Sequence, residues 1–343
     1  MSTVALAAVA ALLISAAPAA AAGESYVALG DSYSSGTGTR SYISDGTSCL
    51  RSVYAYPSLI ASAKGYALNF RACSGAKIAD VTTSQLSALT SSTAYVSISV
   101  GGNDAGFSSV LTTCAQPAWL SNCTAAIDRA QSYIRNTLPG QLTTLYAAIR
   151  ARAPQATVTV VGYPRLFNGV DCNLLTWFSS TEMSRLNATA DLLNATTSGR
   201  ATATGFTFAN PTTPFLGHAV CSSSEWINGL SSPTNESYHP NRAGHSSGYT
   251  PTVSPYLTGS TVVATAAVLT TAKGTATRLA DQQRTYAAVD STIEPETVLA
   301  PDLSTPQARA AAARAGVDLS SRASIDAVDR LYAAREAAAF ARR

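Results

Sequence analysis

Four short runs rich in β-branched and aromatic residues, at 26–30, 94–100, 156–162 and 205–209, are separated by stretches with apolar residues at helical spacing. This alternation constrains the fold more than any other feature. A short apolar run reads as a buried strand, and strands joined through helices run parallel. The expected class is α/β, with a parallel central sheet and helices on both faces. Ligands on such sheets bind beyond the carboxyl ends of the strands.

The intervening patterns read as helices at 54–63, 124–152 and 180–199. The second is interrupted near Pro139. The third opens on a capping box, Ser179 with Glu182 three places on, followed by Met183, Leu186 and Leu193 at helical spacing.

Residues 4–22 are apolar and alanine-rich and end in small residues before Gly23. That reads as a signal peptide over 1–22; a membrane anchor would hold more Leu and Ile. The main domain is expected over 24–270. From 273 to 343 the character changes: 10 of the 23 Lys and Arg and 9 of the 20 Asp and Glu fall there. Two helices are predicted in this charged extension. One is 305–315, with Pro306 in its first turn and Gly316 as its stop; the other is 325–341. A solvated or loosely docked extension is the simplest reading, and docking to a partner or the cell envelope is the rival.

The net charge of +3 offers no nucleic-acid surface and no polybasic membrane patch, so neither partner is expected. Six cysteines, Cys49, Cys73, Cys114, Cys123, Cys172 and Cys221, lie outside the leader. An even number in an exported chain argues for disulfides. Sequential pairing is the simplest connectivity: Cys49–Cys73, Cys114–Cys123 and Cys172–Cys221. No C-x-x-C pair exists and the three histidines lack ligand spacing, so no metal is expected.

Four separate blocks carry the chemistry. "GDSYS" places Ser32 directly after the first strand, where a helix can begin and its N–H can face substrate. A plain N-cap serine fits the same local sequence equally well. "VGGNDAGF" ends a strand in two glycines and then offers the Asn103 side chain, suited to an oxyanion donor or to an ordinary turn. "ACSGAK" sets Gly75 beside a cysteine, and its N–H is a possible second donor. "ESYHPNRAGH" supplies His239 as a base, with Glu236 three residues before it.

Together these blocks resemble the SGNH hydrolase superfamily, the GDSL lipases and esterases. Its namesake residues stand here as Ser32, Gly75, Asn103 and His239. The resemblance covers about 24–260, and the cysteine pattern resembles the three-disulfide secreted lipases of streptomycetes. It implies a flavodoxin-like three-layer α/β/α fold and cleavage of carboxylic esters through an acyl-enzyme, without a cofactor. It makes Ser32 the nucleophile, His239 the general base, and Ser32, Gly75 and Asn103 the oxyanion hole. Two positions depart from the pattern. Tyr33 stands where the motif has Leu, and Glu236 stands where many members have Asp. Glu236 is the expected acid; the carbonyl of Ser237 is the alternative partner for the imidazole.

"GHSSG" fits the G-x-S-x-G pattern around Ser246, but no strand precedes it and no histidine follows His245. Ser246 is therefore rejected as the nucleophile. His218 reads as structural or cleft-rim, and His245 as lying on the helix after His239. Trp119, Trp177 and Trp226 read as packing, and Asp31 and Asp104 as hydrogen-bonding supports. The expectation is a secreted, monomeric ester hydrolase acting on an ester or lipid without stable membrane insertion. Phospholipase A or polysaccharide deacetylase activity on the same fold are alternatives, and a non-catalytic binding module is the alternative of a different class.

Overall fold

The computed structural model describes residues 23–342; the predicted signal peptide lies outside the described residues. Five strands form one parallel sheet in the order β2-β1-β3-β4-β5. They are β1 (Ser25–Gly30), β2 (Ala67–Phe70), β3 (Tyr95–Ser99), β4 (Thr157–Val161) and β5 (Thr207–Ala209). Val27, Ala28, Leu29, Val96, Ile98, Val160 and Val161 are buried, as strands covered on both faces must be.

The helices follow from the crossovers. Right-handed connections place a helix on one face when the chain steps one way along the sheet and on the other face when it steps back. The step from β1 to β2 carries α1 (Ser32–Ser35) and α2 (Tyr56–Lys64). The opposite steps, β2 through β3 and β4 to β5, carry α3 (Ile78–Asp80), α4 (Phe107–Cys114), α5 (Cys123–Asn136), α6 (Leu138–Arg152) and α7 (Ser180–Ala203). α5, α6 and α7 pack on one another, while α8 (Thr250–Thr258) returns beside α2. The strand order therefore reverses between β1 and β3, which opens the crevice at their carboxyl ends.

Four of the strands were predicted. β2 was not: Ala67–Phe70 reads ALNF, without a β-branched residue, and only pairing with β1 makes it a strand. The predicted 124–152 helix is two, α5 and α6, parted at Thr137, with Pro139 in the first turn of the second. The Ser179–Glu182 capping box is formed. All three disulfides join the cysteines in sequential order.

The charged extension is not loosely attached. α9 (Ala266–Gly274) packs on α2, and α10 (Ala276–Arg284) lies against the outer strand β2. After α11 (Ala287–Asp290) the chain crosses to α12 (Pro306–Ala315) and α13 (Arg322–Phe340), the two helices predicted there. Ala311, Ala312 and Ile325 bury Trp119 and Trp177. Asp329 accepts a 2.7 Å bond from the Ala118 N–H, and Asp326 accepts one of 2.9 Å from the Trp177 indole. The charge density of 273–343 reads as a solvated surface, but Asp326 and Asp329 close onto the main domain.

Candidate active site

β1 stops at Gly30, whose φ of +117° lets it pass so close to β3 that a Cβ would stand 2.2 Å from the Ser99 carbonyl oxygen. The side chain of Gln85 holds this strand end. Its Oε1 accepts from the Gly30 N–H at 2.7 Å and its Nε2 donates to the Gly30 carbonyl at 2.9 Å. Asp31 then caps α1, accepting from the Tyr33 N–H at 3.0 Å. The Ser99 hydroxyl and the Tyr163 phenol donate to the same carboxylate at 2.6 and 2.5 Å. Burial pushes the Asp31 carboxyl up to about 6, against the pull of those donors. Asp31 is thus a support, as expected. Ser32 is the first residue of the helix that Asp31 caps, so its hydroxyl is not the capping group.

The Ser32 hydroxyl lies 2.8 Å from His239 Nε2. Nδ1 of the same ring lies 2.9 Å from the Ser237 carbonyl oxygen. A carbonyl can only accept, so Nδ1 carries the ring hydrogen and Nε2 is left to accept from Ser32. Burial drives the His239 pKa down to about 4, partly opposed by the Ser237 bond, so the ring is neutral at ordinary pH.

Glu236, expected to orient His239, does not. Its buried carboxylate accepts from the Tyr42 phenol and pairs with Arg40 Nε at 3.3 Å. The reason is local geometry. Glu236 ends a single helical turn, Thr234–Glu236, which leaves its side chain facing the loop of Arg40 and Tyr42. The next carbonyl, on Ser237, is the group delivered to the imidazole.

Tyr33 supports the histidine from the other side. Its phenol donates to the Tyr238 carbonyl at 2.7 Å, and its ring lies 5.3 Å from that of His239. Tyr238 has φ +62°, an uncommon conformation for an aromatic residue that costs about 1 kcal/mol or more unless neighbours hold it. The Asn228 carbonyl also holds it, accepting from the Tyr238 N–H at 3.0 Å. The departure of Tyr33 from the motif's leucine was the sequence signal for this contact. Gln85 and Asn228 gave none.

Gly75 and Asn103 follow β2 and β3, the two neighbours of β1, so all three blocks lie at the carboxyl end of the sheet. The Cys73 N–H bonds the Gly30 carbonyl at 3.0 Å. Asn103 Nδ2 donates to the Ala76 carbonyl at 3.0 Å, which leaves its second hydrogen for another acceptor. Asp104 accepts from the Ile78 N–H at 3.2 Å and so ties the two loops together, again as a support.

Beside the serine–histidine pair opens an apolar cavity of about 70 Å³. Tyr33, Phe107, Leu111, Tyr163, Leu186 and Leu193 help to line it. Phe107 and Tyr33 also flank the His239 ring, so the cavity adjoins the imidazole. The remaining residues singled out lie elsewhere. Ser246 sits in the helical turn Gly244–Tyr249 with its hydroxyl toward the Ala243 carbonyl. His245, in the same turn, is fully buried and accepts from the Tyr56 N–H at 3.3 Å. His218 stacks on Trp226 at 3.7 Å between ring centres.

A buried serine–histidine pair at the switch point of a parallel α/β sheet defines a serine-hydrolase type of site. A sequence model of the GDSL-like lipase/acylhydrolase family matches residues 28–246. The chain belongs to this family and is a carboxylic ester hydrolase. It is 47% identical over 228 residues to a lipase of Streptomyces rimosus, covering 66% of this chain and 84% of that one. It is also 47% identical over 234 residues to Lipase 1 of Streptomyces coelicolor, covering 67% and 86%. Among solved structures, the extracellular lipase of S. rimosus superposes with a TM-score of 0.63 at 45% identity, over 67% of this chain and 98% of that one. Phospholipase A1 of Streptomyces albidoflavus does so with 0.63 at 42%, over the same shares.

Proposed function

We propose that the protein is an exported lipolytic esterase in which Ser32 and His239 act as a dyad completed by the Ser237 carbonyl. His239 Nε2 takes the Ser32 proton as Oγ bonds to the ester carbonyl carbon. The N–H groups of Ser32 and Gly75 and the Asn103 side chain hold the negative charge that forms on the carbonyl oxygen. Collapse of this intermediate breaks the bond to the alcohol oxygen, which takes the proton from His239. The acyl group remains on Ser32 until water, deprotonated by the same imidazole, repeats the sequence and frees the acid.

One observation carries this reading: the 2.8 Å contact between Ser32 and His239, with the far ring nitrogen committed to a carbonyl. The adjoining apolar cavity supports esters with a hydrocarbon acyl chain, since an acetyl group needs no such lining. Phospholipid is the second reading, favoured by the likeness to the S. albidoflavus phospholipase A1. Export is supported by the three disulfides and by the N-terminal pattern. No helix among the described residues is long and apolar enough to cross a membrane. Serine, histidine and oxyanion donors all come from one chain, consistent with a monomer.

The test is turnover of p-nitrophenyl esters from acetate to palmitate, and of a phosphatidylcholine, by wild type and Ser32→Ala. Activity that survives Ser32→Ala refutes the dyad. No turnover of any ester by wild type favours a binding module.

A further inference from the structure

Arg51 and Arg71 are fully buried, and a buried guanidinium, which keeps its charge, is strongly destabilising unless a counter-charge faces it. Asp45 supplies one to Arg51 at 2.6 Å. The other comes from the extension. The buried carboxylate of Asp290, at the end of α11, lies 2.5 Å from Arg51 Nη2 and 2.7 Å from Arg71 Nη2. Arg51 in turn donates from Nε to the Ala72 carbonyl at 2.9 Å, and the Arg71 and Ala72 N–H groups bond the Ala28 carbonyl at 2.8 and 2.9 Å. Residues 71 and 72 lead directly into Cys73, Ser74 and Gly75.

The chain after Asp290 stays on this loop. Ile293 is buried against the Cys49–Cys73 disulfide and Ala76. The Glu294 carbonyl oxygen occupies the place of a Gly75 Cβ, 2.2 Å from where that atom would stand, and Gly75 has φ +85°. Glu296 pairs with Lys77 at 2.9 Å. Residues 290–296 therefore grip the 71–77 loop at its base, its disulfide, its glycine and its far end. The family match stops at residue 246, so the grip is supplied from outside it.

We propose that Asp290, with Ile293, is a positioning residue for ester hydrolysis: it holds the 71–77 loop so that the Gly75 N–H meets the oxyanion. The inference rests on the reading of Gly75 as an oxyanion donor. The segment touches neither Ser32 nor His239 in any bond described above, so its effect is on the transition state rather than on substrate capture.

The experiment compares wild type, Asp290→Asn, Asp290→Glu, Ile293→Ala and Ser32→Ala as full chains, with kcat and KM for p-nitrophenyl butyrate. Active sites are counted by exhaustive reaction with a p-nitrophenyl phosphonate. In that reaction Ser32 Oγ bonds to phosphorus, its proton leaves through His239, and one p-nitrophenolate is released per competent site. The expected result is a fall in kcat per titrated site of about tenfold or more in Asp290→Asn, with KM within about twofold. Ile293→Ala should show the same split at smaller size, and Asp290→Glu should recover part of the loss. A purely structural role would lower the number of competent sites and leave kcat per site at the wild-type value; that result overturns the proposal. So does a rise in kcat, which would mark the segment as an obstruction. Should Asp290→Asn not fold, Ile293→Ala, which strands no buried charge, decides on the same readout. Turnover by Ser32→Ala would refute the Ser32–His239 dyad itself; a dead Ser32→Ala beside an unchanged Asp290→Asn refutes only the positioning role.

Discussion

The Ser237 carbonyl oxygen stands 2.9 Å from His239 Nδ1, in the place where many serine hydrolases keep a carboxylate. A carbonyl dipole fixes the tautomer and the ring plane as a carboxylate would, but it brings no full charge to stabilise an imidazolium.

The first consequence concerns Glu236. Its carboxylate is spent on Tyr42 and Arg40. Glu236→Gln keeps an acceptor for Tyr42, so kcat/KM for a p-nitrophenyl ester should stay within about threefold of wild type, where loss of a catalytic group costs ~10⁴-fold or more. Stability should fall by about 1 kcal/mol at most, because Arg40 is largely exposed. A Gln variant with activity down by orders of magnitude would return the acid role to Glu236.

A second consequence is the pH profile. With the His239 pKa near 4, the neutral base is present at every pH above that value. As pH falls through about 4 the imidazole takes a proton and can no longer accept one from Ser32. The acid limb of kcat/KM should therefore lie near 4, below the ~6.5 of an ordinary histidine. Asp31 titrates nearer 6, so the profile should be taken in Asp31→Asn as well. A limb that stays near 6.5 in both proteins would contradict a desolvated His239.

The oxyanion assignment makes a sharper demand. Asn103→Ala should lower kcat by about 10²–10³ with little change in KM, as removal of a single oxyanion donor does elsewhere. Thermal unfolding, measured in parallel, should register the lost bond to the Ala76 carbonyl, worth about 1 kcal/mol. Equal losses in kcat and substrate affinity would count against the donor role.

A further consequence of the proposed function concerns acyl chain length. Ala190 is on the lining of the cavity, beside Leu186 and Leu193 on α7. Ala190→Phe should reduce turnover of p-nitrophenyl palmitate at least tenfold relative to butyrate, since a filled pocket excludes the longer chain. An unchanged ratio would place the acyl chain elsewhere.

Much of this was legible before any coordinates. Runs of β-branched and aromatic residues located β1, β3, β4 and β5, since β1, β3 and β4 are almost wholly buried and β5 packs Phe208 against the core. β2 escaped because its ALNF sequence holds no β-branched residue and only pairing with β1 makes it a strand. The four motif blocks gave Ser32, Gly75, Asn103 and His239, whose local glycines and turns serve close approach. Glu236 was misread because sequence spacing says which groups can reach an imidazole, not which way a single helical turn points them. The extension was misread for a related reason: Asp290 looks like any surface acid until it is seen as the counter-charge of buried Arg71 and, beside Asp45, a second one for Arg51.

The order of residues by itself determined the parallel α/β architecture, the disulfide-forming cysteines and the four motif blocks of the family, since each depends on local pattern and residue chemistry. Only the tertiary structure decided that a backbone carbonyl orients His239, that Tyr33 and Gln85 brace the site, and that the C-terminal segment grips the glycine loop. Those contacts join residues far apart in the chain, and their energies depend on burial and direction, which exist only once the chain has folded.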